Sequence, residues 1–192
     1  MPTPNPAAME FLLTRRSRPA KTLTTPVPTR DELLPILTAA ARTPDHGKLE
    51  PWRFIVLEGA ALQRLAALAA DRGRDLGKDD DQIEKARKQF ADAALAVAVI
   101  EVQRPSEKIP ALEQTYSAGA VCLALLNAAL ASGWGANWLS GWASHDAAFR
   151  EQGLGLAPHE RIAGFIHIGT ETSPPPDRPR PDIAAVTDWV SE

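Results

Sequence analysis

Apolar residues occur in short runs along the chain, separated by longer mixed segments. Residues 52–57 are rich in aromatic and branched side chains, residues 95–102 are apolar almost throughout, and residues 161–168 form another apolar run. Such runs are typical of β-strands, and a continuous apolar run indicates a strand buried on both faces. Residues 135–139 and 186–190 have the composition of further strands. The pattern therefore predicts strands separated by helical segments.

Helices are predicted in the mixed segments. The clearest start is Thr29, because a threonine with Glu32 three positions later forms a capping box. This helix is expected to reach about residue 42, with a bend at Pro35. Further helices are predicted over residues 8–14, 60–71, 81–90 and 143–151. The helix over 81–90 is polar, and we expect it to form part of a mobile flap.

The longest helix is predicted between Pro110, which suits a first helical turn, and Gly133, which suits a helix end. At about 1.5 Å per residue it would be roughly 33 Å long. From Ala118 onward it is apolar on nearly every side, so most of its surface should be buried. It is therefore either the central helix of the domain or part of a dimer interface.

The remaining segments are predicted to be linkers or tails. Residues 1–8 are expected to be a flexible tail, and residues 9–192 to form a single domain. Residues 18–28 have the prolines of an extended linker, and residues 73–81 are charged and are expected to be flexible. Residues 173–181 contain five prolines in nine positions, which predicts a stiff arm. A strand beyond such an arm is placed to pair with a partner subunit.

Composition narrows the possible partners. The net charge of −3 and a pI near 5.8 give no long-range attraction to nucleic acid or anionic membranes. The single cysteine, Cys122, excludes an intrachain disulfide and is expected to be a small core residue. The apolar run over 118–131 is shorter than a membrane span, and no basic segment precedes the apolar residues 11–13. We therefore expect a cytoplasmic protein.

Several common catalytic motifs are absent from the sequence. It has no phosphate-binding loop ending in Gly-Lys-Ser/Thr, no zinc-ligand spacing and no nucleophile elbow. Gly153 and Gly155 lack the third glycine of the dinucleotide fingerprint and follow a helix rather than a strand. These absences leave kinase and hydrolase functions without support, and they leave no metal site to predict.

Two cationic clusters are the first candidates for a site. Arg15, Arg16, Ser17 and Arg18 place guanidinium groups beside a hydroxyl, a combination that suits a phosphate. The alternative is a solvated basic turn. Arg42 and His46 lie four positions apart across a proline; the alternative here is an arginine that stabilises the end of a helix and a histidine on the surface.

The third candidate is a tryptophan-rich stretch. Trp134, Trp138 and Trp142 occur within nine residues, between glycines that would let a ligand approach the backbone. Their rings are expected either to line a flat aromatic ligand or to form an aromatic cluster in the core. Arg178 and Arg180 on the proline-rich arm add further cations.

Taken together, these pieces resemble the nitroreductase family. The segments that carry the resemblance are RRS, RTPDHGKLEPWRF, YSAGAVCLALLNAALASGWGANWLSG and IAGFIHIGT, in the order in which the family has them. The resemblance extends from about residue 9 to residue 190 and is greatest to the minimal bacterial members of the YdjA type.

The resemblance implies a fold, a cofactor and a partner. The fold would be α+β, with a mostly antiparallel central sheet wrapped by helices and a C-terminal strand exchanged with the partner subunit. The protein would be a homodimer that binds FMN at the subunit interface. It would transfer hydride from NAD(P)H through FMN to an acceptor such as a nitroaromatic or a quinone, in ping-pong order. The alternatives are a flavin-binding protein for storage or sensing, without efficient turnover, and a structural dimer without a cofactor.

The resemblance also implies which residues contact FMN. The residues that match the phosphate and ribityl contacts are Arg15, Arg16, Ser17 and Arg180. The residues that match contacts from the partner subunit are Arg42 and His46. The residues that match the stretch along the flavin are Trp138, Ser140 and Gly141. No side chain is assigned a catalytic role, because the flavin carries the chemistry.

The chain departs from the family pattern at three positions. Pro19 stands where many members have a cation near the N1/O2 edge of the flavin, so Arg18, Lys21 or a cation of the partner would have to serve there. Leu139 replaces a common arginine, and Glu50 replaces a common glutamine.

Overall fold

A computed structural model describes residues 3–192, which form an α+β structure around one sheet. Every strand pair within these residues is antiparallel, in the order β1-β5-β3-β2, and β4 also pairs with β5. The strands are β1 (Leu23–Thr24), β2 (Trp52–Glu58), β3 (Leu95–Val102), β4 (Gly135–Leu139) and β5 (Glu160–Glu171). The prediction of a mostly antiparallel sheet is confirmed.

Helices cover both faces of this sheet. The helices are α1 (Pro6–Thr14), α2 (Arg30–Ala40), α3 (Ala60–Asp75), α4 (Asp80–Ala91), α5 (Ala111–Ala131), α6 (Trp142–His145) and α7 (Ala147–Leu154). Single 3₁₀ turns occur at Ala20–Thr22, His46–Lys48 and Ala184–Val186.

Strand β3 divides the core into two layers. All eight of its residues are buried, as its continuous apolar sequence predicts. Because successive side chains of a strand point to opposite faces, Val97 and Val99 pack with α2 and α5, whereas Ala98 and Ile100 pack with α3, α4 and α7.

The predicted capping box starts α2. The Glu32 backbone N–H donates to Thr29 Oγ1 at 3.3 Å, and the Thr29 backbone N–H donates to Glu32 Oε2 at 2.8 Å. These bonds satisfy amide groups that a helix start leaves without partners. Pro35 lies inside the helix, which ends at Ala40, two residues earlier than predicted.

Helix α5 is apolar on its outer face as well as on its inner face. Its inner face, which includes Val121 and Leu125, packs against the sheet and α2, while Leu112, Tyr116 and Leu123 are 46–65% exposed. The helix is therefore central to the core and still leaves an apolar outer face. It is also the helix that meets the length and composition of a membrane span among residues 3–192, a test that core helices of soluble proteins also meet.

Cys122 lies on the inner face of α5 and is fully buried, which confirms its predicted place in the core. Burial raises the pKa of its thiol to about 12, because a thiolate would lose its hydration there. The thiol is therefore not a nucleophile at neutral pH.

The prediction that residues 73–81 are flexible is wrong for most of this segment, because helices cover both of its ends. Helix α3 continues to Asp75, and α4 begins at Asp80 after an N-cap at Asp79. Gly73 allows the two helices to pack, since a Cβ there would lie 2.7 Å from a side-chain carbon of Ile83. The end of α4 is anchored in the core by Phe90, which is fully buried against two aromatic rings, so this part of the predicted flap belongs to the core.

The predicted helix over 143–151 is in fact two helices. Asp146 separates α6 from α7, because its side chain accepts a hydrogen bond from the Phe149 backbone N–H at 2.8 Å and so caps α7. The same carboxylate forms an ion pair with Arg72, at 2.9 Å between Nε and Oδ2. The apolar pattern predicts one continuous helix here, but the Asp146 side chain caps a new helix and so interrupts it.

Both ends of the chain differ from expectation. Helix α1 begins at Pro6, capped by Asn5, so the helix takes up part of the predicted 1–8 tail, whose first two residues lie outside the described residues. The predicted linker over 18–28 contains strand β1. The predicted strand over 186–190 is not formed in the single chain, where Trp189 is 92% exposed. Its exchange with a partner stays a prediction, as does the single domain over 9–192.

An ion pair joins β2 to β5 across β3. Arg53 donates from Nε to Glu160 Oε1 at 2.7 Å and from Nη2 to Oε2 at 3.0 Å. The Ala157 backbone N–H also donates to Glu160 Oε2, at 3.0 Å. The Arg53 hydrogen bonds are the largest of the effects that lower the pKa of Glu160 from 4.5 to about 2.

We expect Glu160→Gln to lower the free energy of unfolding at pH 7 by about 1.5–3 kcal/mol, the usual loss for a hydrogen bond to a charged group. Because the folded state lowers this pKa, the stabilisation is complete above pH 4.5 and is lost as the pH falls toward about 2. Urea unfolding between pH 7 and pH 3 should therefore show the difference from the parent protein shrinking. A difference independent of pH would contradict this account. Glu84→Gln, which removes an exposed carboxylate paired with Arg87, is the control and should change little.

Candidate cofactor site

The cationic segment over residues 15–18, here called the N-terminal strap, is fixed against β4. The Arg18 backbone N–H donates to the Ala136 carbonyl at 2.8 Å, and Asn137 Nδ2 donates to the Arg18 carbonyl at 2.7 Å. The Arg18 side chain forms an ion pair with Glu171 of β5 at 3.2 Å. The strap is therefore held by backbone and side-chain contacts, and the Arg18 charge already has a partner.

Cations converge at the start of the strap. Arg15 Nη2 donates to Ser17 Oγ at 3.1 Å, and Arg16 Nη2 lies 3.4 Å from the Pro176 carbonyl oxygen on the proline-rich arm. Burial, followed by the charges of Arg180 and Arg16, lowers the pKa of Arg15. The structure thus brings together four predicted site residues that lie at opposite ends of the chain.

This cluster has unused hydrogen-bond donors. The Nε atoms of Arg15 and Arg16 are buried without a hydrogen-bond partner among residues 3–192. Arg15 and Arg16 also line a cavity of about 340 Å³, which Gly135 of β4 lines as well. Buried donors without partners are uncommon in proteins, and a phosphate would supply acceptors for them. The arrangement therefore fits the phosphate end of FMN.

The stretch predicted to lie along the flavin follows from β4. Trp138 is 38% exposed, and its indole lies over Gly164 of β5, where a Cβ atom would be only 2.0 Å from the indole Nε1. Ser140 and Gly141 follow the strand and are exposed. Three predicted residues therefore form an accessible edge at the end of β4.

The three tryptophans do not form one aromatic wall. Trp134 packs against the core beside α2 and α5, whereas Trp142 extends toward α3 and α4, with its Nε1 3.5 Å from the Gln82 carbonyl oxygen. Trp138 alone of the three lies on the exposed edge described above. Trp134 precedes β4 and Trp142 begins α6, so the other two rings pack against different layers of the core.

The loop over residues 42–51 is fastened to α5. Ser117 Oγ donates to the Pro44 carbonyl at 3.0 Å and accepts from Trp52 Nε1 at 3.2 Å. His46 donates from Nδ1 to Glu113 Oε2 at 2.7 Å. A loop held by such contacts has a defined position, although its outer side chains are exposed.

The backbone of this loop is unusual. Gly47, Lys48 and Glu50 have φ angles of 72°, 54° and 47°, in the left-handed region that non-glycine residues seldom adopt. Strained backbone of this kind concentrates at functional sites. Glu50, which departs from the family pattern, is thus one of two strained non-glycine residues here.

Arg42 and His46 are exposed, and no contact within residues 3–192 joins either side chain to the strap. A single chain therefore does not bring these two residues to the cluster around Arg15. Sequence reasoning also missed Asn137 and Glu171, which hold the strap, because their local sequence gives no sign of contacts with residues more than a hundred positions away.

Comparison with known proteins agrees with this geometry. The sequence profile described as the Nitroreductase family matches residues 12–170. The chain is 37% identical over 163 residues to "Putative NAD(P)H nitroreductase YdjA" of Escherichia coli (strain K12), a match that covers 85% of this chain and 87% of that protein. The chain therefore belongs to the nitroreductase family.

Solved structures share the fold. A nitroreductase-like family protein from Bacillus cereus superimposes with a TM-score of 0.81 at 22% identity, over 100% of both chains. A "putative nitroreductase" from Desulfovibrio desulfuricans, solved in complex with FMN, gives a TM-score of 0.71 at 21% identity over 99% of this chain and 100% of that one. The predicted nitroreductase-like fold is confirmed.

Gly47→Ala should lower the free energy of unfolding by about 1–2 kcal/mol, the cost of left-handed backbone for a residue with a Cβ atom. The new Cβ would also lie 2.5 Å from Ile109 Cδ1, which would have to move. Urea unfolding of the purified variant measures the change.

Gly155→Ala is the matched control, because Gly155 is also left-handed, with φ 64° and ψ 31°, but has no atom within 4 Å of the added Cβ. It should show the backbone cost alone. Equal losses in the two variants would show that the contact between the loop and Ile109 contributes nothing.

Proposed function

We propose that this protein is an FMN-dependent oxidoreductase that takes electrons from NAD(P)H and passes them, in ping-pong order, to an acceptor such as a nitroaromatic or a quinone. The observation that carries the proposal is the cluster of Arg15, Arg16 and Arg180 in a chain of the nitroreductase family. Within this cluster the Nε atoms of Arg15 and Arg16 are buried and have no hydrogen-bond partner among residues 3–192. The names of two relatives support it, one as an NAD(P)H nitroreductase and one as a complex with FMN.

The residues around the strap would hold FMN by its charged end. Arg15, Arg16 and Arg180 offer planar, charge-assisted donors to a phosphate, and Ser17 adds a hydroxyl. The exposed edge that follows β4 would lie along the flavin ring. The residues of that edge are Trp138, Ser140 and Gly141.

Bound FMN would supply the two-electron chemistry, so the protein has to bind, orient and shield rather than attack. This division of labour agrees with the side chains present. Cys122 is buried with a raised pKa, and His167 is buried with its pKa lowered to about 4 by loss of hydration. Neither group has the properties of a nucleophile or a neutral-pH acid in this reaction.

We also propose that the active unit is a homodimer, with residues 9–192 of each chain as one domain and Arg42 and His46 serving the partner's site. Two apolar surfaces support this. The outer face of α5 is exposed, and the C-terminal segment exposes Trp189 and Val190 at 92% and 84%. Apolar surfaces of this kind are typical of interaction sites, and an exchanged C-terminal strand would cover the second one.

The first test is the absorbance spectrum of the purified protein, before and after NADH or NADPH. We expect a flavin spectrum that bleaches on addition of a nicotinamide nucleotide and returns with an added quinone. Bound flavin that does not bleach would favour the alternative of a flavin-binding protein without turnover. Protein that stays colourless after incubation with FMN would contradict the proposal.

The second test uses two variants in one dimer. Arg15→Ala and Arg42→Ala proteins should each bind FMN weakly, because each removes a cation from every site. In a heterodimer of the two, one site loses both arginines and the other keeps both. Co-expression with two affinity tags should therefore yield heterodimers with one tight site, measured by quenching of FMN fluorescence. Heterodimers without a tight site would show that both arginines serve the same chain's site.

A further inference from the structure

A cavity of about 460 Å³, here called the Glu101 cavity, is lined by residues of β3, β5, α5, α6 and α7. Polar and charged side chains make up much of its lining. They are Glu101, Thr115, Ser144, His145, Arg150 and Arg161. None of the residues that line it also lines the cavity beside Arg15 and Arg16. It is therefore separate from the cluster that is proposed to hold the FMN phosphate.

Glu101 is a buried carboxylate that has only neutral partners. The residue is 4% exposed, and its Oε1 accepts hydrogen bonds from Thr115 Oγ1 at 2.6 Å and from Gln103 Nε2. Among residues 3–192 it forms no ion pair, and its Oε2 accepts no hydrogen bond. Glutamate side chains are seldom buried unless they are paired, because the charge loses its hydration. A cationic group bound in this cavity would therefore stabilise Glu101.

Two arginines line the same cavity and leave most of their donors unused. Within the described part of the chain, Arg150 makes one side-chain hydrogen bond, from Nη1 to the Glu160 carbonyl at 2.9 Å, and its Nε is buried without a partner. Arg161 lies directly opposite Glu101 in the pairing of β3 with β5, yet the two side chains form no ion pair. The cavity therefore presents guanidinium groups and a carboxylate that do not neutralise each other by direct contact.

An acidic amino acid matches the charges of this cavity. Its two carboxylates match the two guanidinium groups, and its ammonium group matches the carboxylate of Glu101. An anion without an ammonium group would leave Glu101 buried and unpaired, and a simple amine would leave both arginines without a partner. Small-molecule sites commonly have volumes of roughly 300–1,000 Å³, a range that includes the 460 Å³ of this cavity.

We propose that the Glu101 cavity is a second ligand site, and that its ligand is a small acidic amino acid such as glutamate. Glu101 accepts from the ammonium group, and Arg150 and Arg161 donate to the two carboxylates. The site goes beyond the proposed function, since no part of it requires FMN or a nicotinamide nucleotide.

Isothermal titration calorimetry of the full chain with L-glutamate tests the site, and we expect saturable binding. Glutarate lacks the ammonium group and glutamine lacks the second carboxylate. Each should bind at least about tenfold more weakly than glutamate, because each leaves a charged group of the cavity without its partner. Equal affinity for glutarate would overturn the pairing with Glu101, and equal affinity for glutamine would overturn the need for two arginines.

Two variants test the residues. Arg161→Gln changes an exposed side chain without partners among residues 3–192, so it should fold normally and bind glutamate about tenfold more weakly. Glu101→Gln keeps the size of the side chain and removes its charge. It should weaken glutamate binding about tenfold and leave glutarate binding no weaker, a difference that a merely structural role would not produce. Arg30→Gln is the matched control, because Arg30 is an exposed arginine of α2 that does not line the cavity, and it should bind glutamate like the parent.

Arg15→Ala distinguishes this site from the cluster around Arg15. Glutamate binding that is lost in Arg15→Ala and kept in Arg161→Gln would place the amino acid in the other cavity and overturn the proposal. A parent without saturable glutamate binding would also overturn it, which is the result expected if a partner's side chain filled the cavity. The flavin spectrum tests the proposed function separately, so each proposal can fail without the other.

Discussion

The pairing of β5 with three other strands is the constraint on which the rest of the structure depends. Its twelve residues pair with β3 from Glu160 to His167, with β4 from Phe165 to Gly169, and with β1 at its end. A slip of one residue would exchange the faces of Phe165 and Ile166, which belong to different core layers. The buried layers therefore fix the register that places Gly164 under the indole of Trp138.

Ion pairs are balanced in the part of the structure that supports the fold and unbalanced around the candidate cofactor site. Where charges hold the scaffold together, as in the pairs Arg53–Glu160 and Arg72–Asp146, cation and carboxylate are matched with short distances. Around β4 the cations outnumber the carboxylates, although the whole chain has a net charge of −3. Uncompensated cations on an acidic protein oppose its folding locally, so their clustering is best explained by an anionic ligand.

Local patterns predicted much of the fold and less of the site. The strands β2, β3 and β4 and the capping box at Thr29 follow from short-range alternation and hydrogen bonding, which the sequence displays directly. The break at Asp146 was missed because a capping carboxylate and a solvated one look alike in sequence. The cationic cluster at Arg15 and Ser17 was identified from local composition, and its role toward FMN came from the family resemblance. The contacts of Asn137 and Glu171 that hold this cluster were missed, since they join segments far apart in the sequence.

Hydrogen bonds fix the loop over 42–51 to helix α5. The position of this loop, which carries two predicted FMN contacts, therefore depends on the position of the helix. Ser117 and Glu113 on α5 hold Pro44 and His46, and the strained backbone at Glu50 fixes the exit of the loop into β2. The apolar outer face of the same helix has no cover in one chain. In the proposed homodimer, a partner packed on that face would also position the attached loop, because hydrogen bonds join the loop to the helix. Formation of the proposed dimer would then also complete the proposed FMN site.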